Sequence, residues 1–445
     1  MAVYRARGMP AFLHRRSTPH NVTTYYQETA EPGLRFSPLA GHAETGTVIV
    51  GGGFAGLATA LSLLERGRRD TVLLEAETIG FGASGRNGGF VSGGFSLDAA
   101  HLHRRLGHEC ARELYLMSEE AVRRIRERIA RYGIDCDPVF GGVIVASWFN
   151  EDESLRELQS FMRESFGLHW HWLPRDELRE VLRTERYHAG LHELDAFHFN
   201  PLKYAQGEAR VLRDAGVQVH ESSRVRRIER SGAGWRVCTG VAEVRCREVV
   251  VCCGAYIDGL CPPLVRATLP IATYVMATEP LGDRLREAIR TDAAIFDTRF
   301  AFDYYRPLPD TRILWGGRMS TRERAAPDLA RLLQADLVHV YPQLRGVEVT
   351  HAWSGLMSYA RHCMPHLGRL GEGPWYALGF GGHGVAPTTL GGEVIARAMT
   401  GEAQIPESLA AFRLVRTYGR LGLAAAQLTY WRLQARDALR EWRHR

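Results

Sequence analysis

Gly51, Gly53 and Gly56 stand in the spacing G-x-G-x-x-G, and Glu75 follows further along the chain. That set suits one task, holding a dinucleotide by its phosphates and a ribose. Gly51 permits the sharp turn, Gly53 lets a pyrophosphate approach the backbone, and Gly56 lets a helix pack closely on a sheet. Phe54 and Ala55 open that helix, whose N-terminus offers free N–H groups and a partial positive charge. Glu75, with Ala76 after it, is placed to accept hydrogen bonds from ribose hydroxyls. A second small-residue run, from Gly80 to Gly94, holds Gly82, Ala83, Ser84, Arg86, Asn87, Gly88 and Gly89. So many small residues suggest backbone wrapped closely around a ligand.

A third glycine cluster, GFGGHG at 379–384, also satisfies G-x-G-x-x-G. Gly379, Gly381, Gly382, His383 and Gly384, with Val385 after them, lie between a strand and a helix expected at 388–399. No second strand ending in an acid follows, so this is not a second nucleotide unit, and a nicotinamide cofactor is not expected. Further candidates lie on short aromatic segments. Tyr304, Tyr305 and Arg306 sit on one strand, where alternation puts Tyr304 and Arg306 on the same face. Arg306 suits a bidentate grip on a carboxylate, or else a structural ion pair. Trp353, Tyr359 and His362 either wall a pocket or belong to an aromatic core. His383 either hydrogen-bonds near a ligand or satisfies local backbone. His198 reads as structural.

The elements that must position these groups are legible as apolar patterns. Val48–Val50 and Thr71–Leu74 read as buried strands flanking a helix through Leu61 and Leu64. Residues 98–131 have helical periodicity through Leu102, Leu106, Leu114, Met117, Val122, Ile125 and Ile129. Segments 151–166, 174–183 and a Pro-initiated stretch within 197–216 read as helices. Strands are expected at 140–147, 217–219, 224–229, 235–238, 244–247 and 248–253. Others are expected at 269–278, 301–307, 312–318 and 375–378, with a helix at 388–399. The last forty residues read as helical, with a stripe of Leu421, Leu428, Trp431, Leu433 and Leu439 suited to core packing or a subunit contact, and with membrane binding as the lesser alternative because of its Arg flanks.

Composition bounds the class. The chain has 445 residues, 45% hydrophobic and 24% charged, with a formal net charge of +6. That length allows two domains. The basic residues are spread out and almost all arginine, so no nucleic-acid footprint is expected; Lys203 is the only lysine. The eight cysteines show no metal-ligand spacing, and no metal is expected. Cys238 and Cys246 are placed to face each other across a hairpin. No run of about 18 apolar residues and no leader-like apolar region occurs, so a cytoplasmic protein without a membrane span is expected.

GFGASGRNGG, together with the strand–glycine–helix–strand–acid unit, resembles the glutathione-reductase-type FAD folds. Within them the chain is similar to the D-amino-acid oxidase superfamily and its gamma-glutamylputrescine oxidase branch. The resemblance covers roughly residues 24–440. It implies an α/β, two-domain fold: a Rossmann FAD-binding domain made of 46–100, 199–262 and 346–401, and an antiparallel-sheet substrate domain made of 101–198 and 263–345. An arm, 1–45, precedes them, and helices, 402–445, follow.

The resemblance further implies non-covalent FAD, with Ser84, Arg86, Asn87, Gly88 and Gly89 near its pyrophosphate and ring. Val225 and Gly254 would lie on the returning strands. The helix after Gly384 would be aimed at the flavin N1/C2=O edge. The implied reaction oxidises a small-molecule amine to an imine by hydride transfer to flavin N5, with electrons passing to O2. A sarcosine-like or D-amino acid is the alternative substrate, and a flavoprotein without amine turnover is the alternative of a different class. In this reading Arg306, Tyr304 and His383 are the catalytic candidates, and Tyr305, Trp353 and Tyr359 the substrate contacts. Relatives of the sarcosine oxidase type hold a lysine over the flavin, and 269–278 has none; another cation, such as a histidine, or another electron acceptor is then required. Cys363 lies beyond the position of covalent flavin attachment.

Overall fold

The strand Gly41–Val50 is the axis of the first sheet, and its last five residues are buried. The computed structural model describes residues 3–5, 23–30, 34–321 and 326–443, so much of the arm expected at 1–45 lies outside the described residues. Gly41–Val50 pairs in parallel with Thr71–Leu74 on one side and Ala242–Val251 on the other. Gln218–His220 extends the sheet beyond Thr71–Leu74, and Trp375–Leu378 pairs with the end of Ala242–Val251, both in parallel. Strands covered on both faces are apolar throughout, which is why V-I-V, T-V-L-L and V-V-V read as continuous runs.

Ala242–Val251 is one strand where the sequence suggests two. Its first half pairs antiparallel with Gly234–Cys238 and its second half parallel with Trp375–Leu378. The polar residues near Arg247 mark this change of neighbour. The hairpin register sets Cys238 opposite Glu243 and Cys246 opposite Trp235, so the two cysteines do not face each other, and all eight cysteines are free.

Phe54–Glu65 and Val385–Thr400 cross at close range on one face of this sheet. A Cβ on Gly392 would lie 2.6 Å from the Ala58 carbonyl carbon and from the Thr59 nitrogen. The periodic segment 98–131 is two helices, Ala99–Leu106 and His108–Tyr132, broken at Gly107, whose φ of +82° is outside the helical range. Their apolar side, through Leu102, Leu114, Val122 and Ile125, joins Ile49 and Leu61 in a common core. These helices therefore pack with the nucleotide layer, although their sequence position suggested the substrate domain.

The second sheet has eight strands. Its order is Val349–Ala360, Thr268–Thr278, Ile313–Ser320, Tyr304–Pro307, Ala294–Asp297, Val143–Ala146, Gly190–Glu193 and His171–Leu173. Only the pair Ala294–Asp297 with Val143–Ala146 is parallel. Val349–Ala360 runs along Thr268–Thr278 for its whole length. The segment from His351, expected to return directly to the nucleotide domain, thus first closes this second sheet. A two-residue ladder, Phe90–Val91 with Phe197–His198, ties the small-residue loop to the second sheet's side of the molecule.

The terminal helix, Arg420–Arg443, buries only Tyr430 and Asp437 fully. Leu421, Leu428, Trp431 and Leu439 are exposed, so the stripe is not core. Among the described residues, no helix is long and apolar enough to cross a membrane.

The crossing of the two glycine-bearing helices makes a direct prediction. Gly392→Val forces backbone apart at Ala58 and should lower stability by about 1–3 kcal/mol or more. A thermal melt followed by circular dichroism checks it, and an unchanged midpoint would show that the helices are not in contact there.

Candidate active site

A single cavity of about 1400 Å³ runs between the two sheets. Ordinary ligand pockets hold roughly 300–1,000 Å³, so this one has room for an extended ligand and a small partner. One end is walled by Gly51, Gly53, Phe54, Ala55, Glu75 and Ala76. Gly51 has φ +114°, which turns the chain from strand to helix, and a Cβ on Gly56 would sit 1.9 Å from the Gly51 carbonyl oxygen. Gly56 itself is beneath the wall, where it lets the turn close on the helix. The Glu75 carboxylate accepts from the Gly52 N–H at 2.6 Å and the Glu77 N–H at 2.9 Å. Burial raises its pKa, and those N–H groups oppose the rise.

The small-residue loop is stapled to this end and to the second sheet. Ser84 Oγ accepts from the Phe54 N–H at 2.9 Å. Asn87 donates to the Ala83 and Ser84 carbonyls and accepts from the Gly89 N–H. Arg86 donates to the carbonyls of Phe81 and Ser354. Gly82, Ala83, Ser84, Arg86, Asn87 and Gly88 all line the cavity, whereas Gly89 turns away against the Phe199 carbonyl. Gly254, Gly381, Gly382, His383, Gly384 and Val385 line it from the opposite side. Gly379 lies behind them against His366. Val225 is buried just outside the wall, which its neighbour Arg224 reaches. Ser358 Oγ, in the wall, is buried without a hydrogen-bond partner. A close backbone cradle, a helix N-terminus, a ribose-side acid and an orphaned hydroxyl together fit a flavin dinucleotide.

His383 is part of this wall. Its Nε2 donates to the Gly93 carbonyl at 2.7 Å, and its backbone N–H donates to Ser96 Oγ. Burial lowers its pKa, which disfavours the charged form that a stand-in for a lysine would need. On Thr268–Thr278 the alternate residues Leu269, Ile271 and Thr273 face the cavity, and none is charged. Lys203 is far from this role, paired with Asp137 at 2.9 Å.

Several expected contacts are redirected by the sheet. Tyr304 does line the cavity, its ring lying over Gly316, the residue opposite it in register. Arg306 shares that face but is 1% exposed and capped by the loop. It donates to the carbonyls of Gly88 at 2.7 Å and Phe199 at 2.8 Å, to the Tyr26 hydroxyl at 3.4 Å and to His198 Nδ1 at 3.3 Å. With these donors occupied inside the protein, Arg306 is not a substrate carboxylate clamp.

Tyr305, on the other face, stacks on Trp315 and bonds to Tyr187 and Tyr341 within the second core. Trp353 is buried and donates to the Arg86 carbonyl. Neither touches the cavity. His362 reaches the Arg413 carbonyl instead of the cavity. Tyr359 does line the cavity, its phenol pushed up to about 12 by burial. Cys363 lines it too, with burial holding the thiol protonated.

Other wall residues carried no sequence motif. Glu193, Arg318 and Met319 reach the cavity only through the order of strands in the second sheet, and Phe302 from the segment before Tyr304–Pro307. The inner side of the terminal helix, including Gln427 and Tyr430, completes the wall. Arg318, with φ +54°, is held by both oxygens of Asp336 at 2.7 Å.

Comparison with known proteins agrees with this geometry. Residues 47–398 match the DAO family, described as FAD dependent oxidoreductase. The chain belongs to that family; its cofactor is FAD, and it is an oxidoreductase acting on amines or amino acids. It is 35% identical over 386 residues to the gamma-glutamylputrescine oxidoreductase of Escherichia coli, covering 86% of this chain and 90% of that protein. It is 30% identical to the probable oxidoreductase OrdL of Haemophilus influenzae, over 90% of this chain and 93% of that one. Glycine oxidase from Geobacillus kaustophilus shares the fold, with a TM-score of 0.71 at 23% identity over 85% of this chain and all of that one.

Two outcomes follow. Arg306→Lys should lower the melting midpoint and the bound FAD, because hydrogen bonds to a charged donor contribute about 1.5–3 kcal/mol each. It should leave the KM ratio between carboxylated and uncarboxylated amines unchanged; a selective loss of carboxylated substrates would restore the clamp. His198 is held down to about 3, first by burial and then by Arg306. Below pH 6.5 the unfolded chain binds a proton there that the folded chain refuses, so stability falls with falling pH by up to about 1.4 kcal/mol per unit. His198→Gln should make the drop in urea midpoint between pH 7 and pH 5 shallower; an equal drop in both proteins would refute the assignment.

Proposed function

We propose that this chain oxidises a gamma-glutamylputrescine-like amine. The observation that carries the reading is the likeness to the Escherichia coli gamma-glutamylputrescine oxidoreductase over nearly the full length of both chains. The cavity is consistent with it. Its wall is largely apolar around Leu269, Ile271, Phe302, Tyr304 and Met319, which suits an alkyl chain, and the carboxyl of Glu193 lies further along.

FAD, when bound, supplies the hydride acceptor. The chain's own residues do the positioning. Tyr304 and Tyr359 form aromatic walls for the carbon that loses hydride, and the glycine loop 379–384 with the following helix presents N–H groups and a positive helix end to developing negative charge. His383 keeps the loop in place as a hydrogen-bond donor. The product imine hydrolyses in water to an aldehyde and ammonia. O2 is the proposed acceptor, with another acceptor as the alternative in the absence of a lysine over the cavity. The protein is proposed to work in the cytoplasm, without nucleic acid.

Arg318 favours a second reading. It lines the cavity with two of its donors on Asp336, and in this reading a sarcosine-like or D-amino acid presents its carboxylate beside that pair.

Anaerobic mixing of the purified yellow protein with gamma-glutamyl amines, polyamines, sarcosine and D-amino acids tests both. Bleaching by gamma-glutamylputrescine well ahead of the amino acids is expected; the reverse order would give the second reading. No bleaching by any of them would sink both and leave a flavoprotein without amine turnover. Readmitted air should restore the colour quickly if O2 is the acceptor.

A further inference from the structure

The outer side of Arg420–Arg443 carries an apolar seam at helical spacing: Leu421, Leu428, Trp431, Leu439 and Trp442, with Ala424 and Ala435 between them. Leu421 is 76% exposed, Leu428 62% and Trp442 71%. The helix is not loose. Its inner side is fastened by hydrogen bonds from the Met319 N–H to the Tyr430 hydroxyl, from the Thr321 N–H to Gln427 and from the Phe300 N–H to Asp437. Further along, Glu441 takes Arg186, and Arg440 takes Glu151. A helix anchored along its inner side, with Leu and Trp along its outer one, has a face that needs a cover.

Charge selects the cover. Both acids of the helix, Asp437 and Glu441, are engaged on the inner side. Arg432, Arg436 and Arg443 are exposed beside the seam, and no ion pair is recorded for any of them among the described residues. Packing two copies seam to seam would bring arginines toward arginines with no exposed acid of the helix between them. An anionic lipid surface answers both features, because the arginines meet headgroup phosphates while Leu and Trp enter the headgroup–acyl boundary. The helix is roughly 36 Å long and would lie flat.

We propose that Arg420–Arg443 docks this protein on an anionic membrane surface as an interfacial helix. Leu421, Gly422, Ala425 and Ala426 of the same helix also line the cavity, so docking places the cavity wall beside the bilayer. The inference stands independently of which amine is oxidised.

The test is sedimentation of the FAD-loaded protein with vesicles of phosphatidylcholine containing phosphatidylglycerol, against phosphatidylcholine alone. Binding to the anionic vesicles only, weakened by added salt, is expected. Leu428→Glu with Trp431→Glu should reduce it at least about tenfold, since each replaces a buried apolar contact by a charge in the interface. Flavin absorbance and melting midpoint should stay as in the parent, which separates lost docking from lost folding. No binding to either vesicle would overturn the proposal. So would equal binding to both, or binding unchanged by the double substitution. A dimer that dissociates on the same double substitution, with no vesicle binding, would assign the face to a second copy instead.

Discussion

A buried guanidinium with no carboxylate partner among the described residues organises this molecule. Arg306 reaches from the second sheet into backbone carbonyls of the loop at Gly88 and of the segment before Pro201, and touches the hydroxyl of Tyr26. Taking a charge from water is costly unless its donors are satisfied. Here that requirement fixes three separate stretches of chain relative to one strand. The loop it holds cannot shift without stranding the charge, and the cavity wall inherits that rigidity. Tyr26 adds a second tie, donating to the Asn87 carbonyl at 2.8 Å, and Trp353 a third, through the Arg86 carbonyl. The loop is thus held by aromatic hydroxyl, indole and guanidinium donors, while residues 82–84 and 86–88 line the cavity.

The dinucleotide end of the site was the most legible part. Its requirements are local: a turn, a helix start and an acid at a fixed distance, each tied to a residue type that few alternatives can replace. Gly51 and Gly56 are such residues, and the structure uses them for the tight turn and the close helix approach; the Glu75 carboxylate accepts from the Gly52 N–H beside them. The substrate end was far less legible, because its wall is assembled by strand order. Alternation correctly put Tyr304 and Arg306 on one face, but it could not say that the loop at Gly88 would cover one and leave the other open. Tyr305 and Trp353 are large aromatic residues whose burial in a core is as compatible with their chemistry as a pocket wall. Glu193 and Arg318 carry no spacing signal at all. They become neighbours of the cavity only once eight strands are ordered.

The domain boundaries show the same limit. Helices Ala99–Leu106 and His108–Tyr132 lie in sequence beside the substrate-side strands, yet their apolar stripe finds its complement under the nucleotide sheet. Val349–Ala360 was read as a return because of its position in the chain. It instead supplies the edge of the other sheet before the chain crosses back at His366–Arg369 and Trp375–Leu378. A hydrophobic pattern specifies that a face is covered, and the choice of partner is a property of the whole chain.

Trp375–Leu378 and the glycine loop after it carry a consequence for how the protein is made. The first residues of the cavity wall leave the ribosome near position 51, but the strand that flanks Ala242–Val251 and the wall at 381–385 emerge more than three hundred residues later. Synthesis proceeds at about 5–20 residues per second, so the nascent chain spends many seconds with half a cradle. The cavity can close around a ligand only after translation has passed the last of these segments, so its wall is completed only in the finished or nearly finished chain.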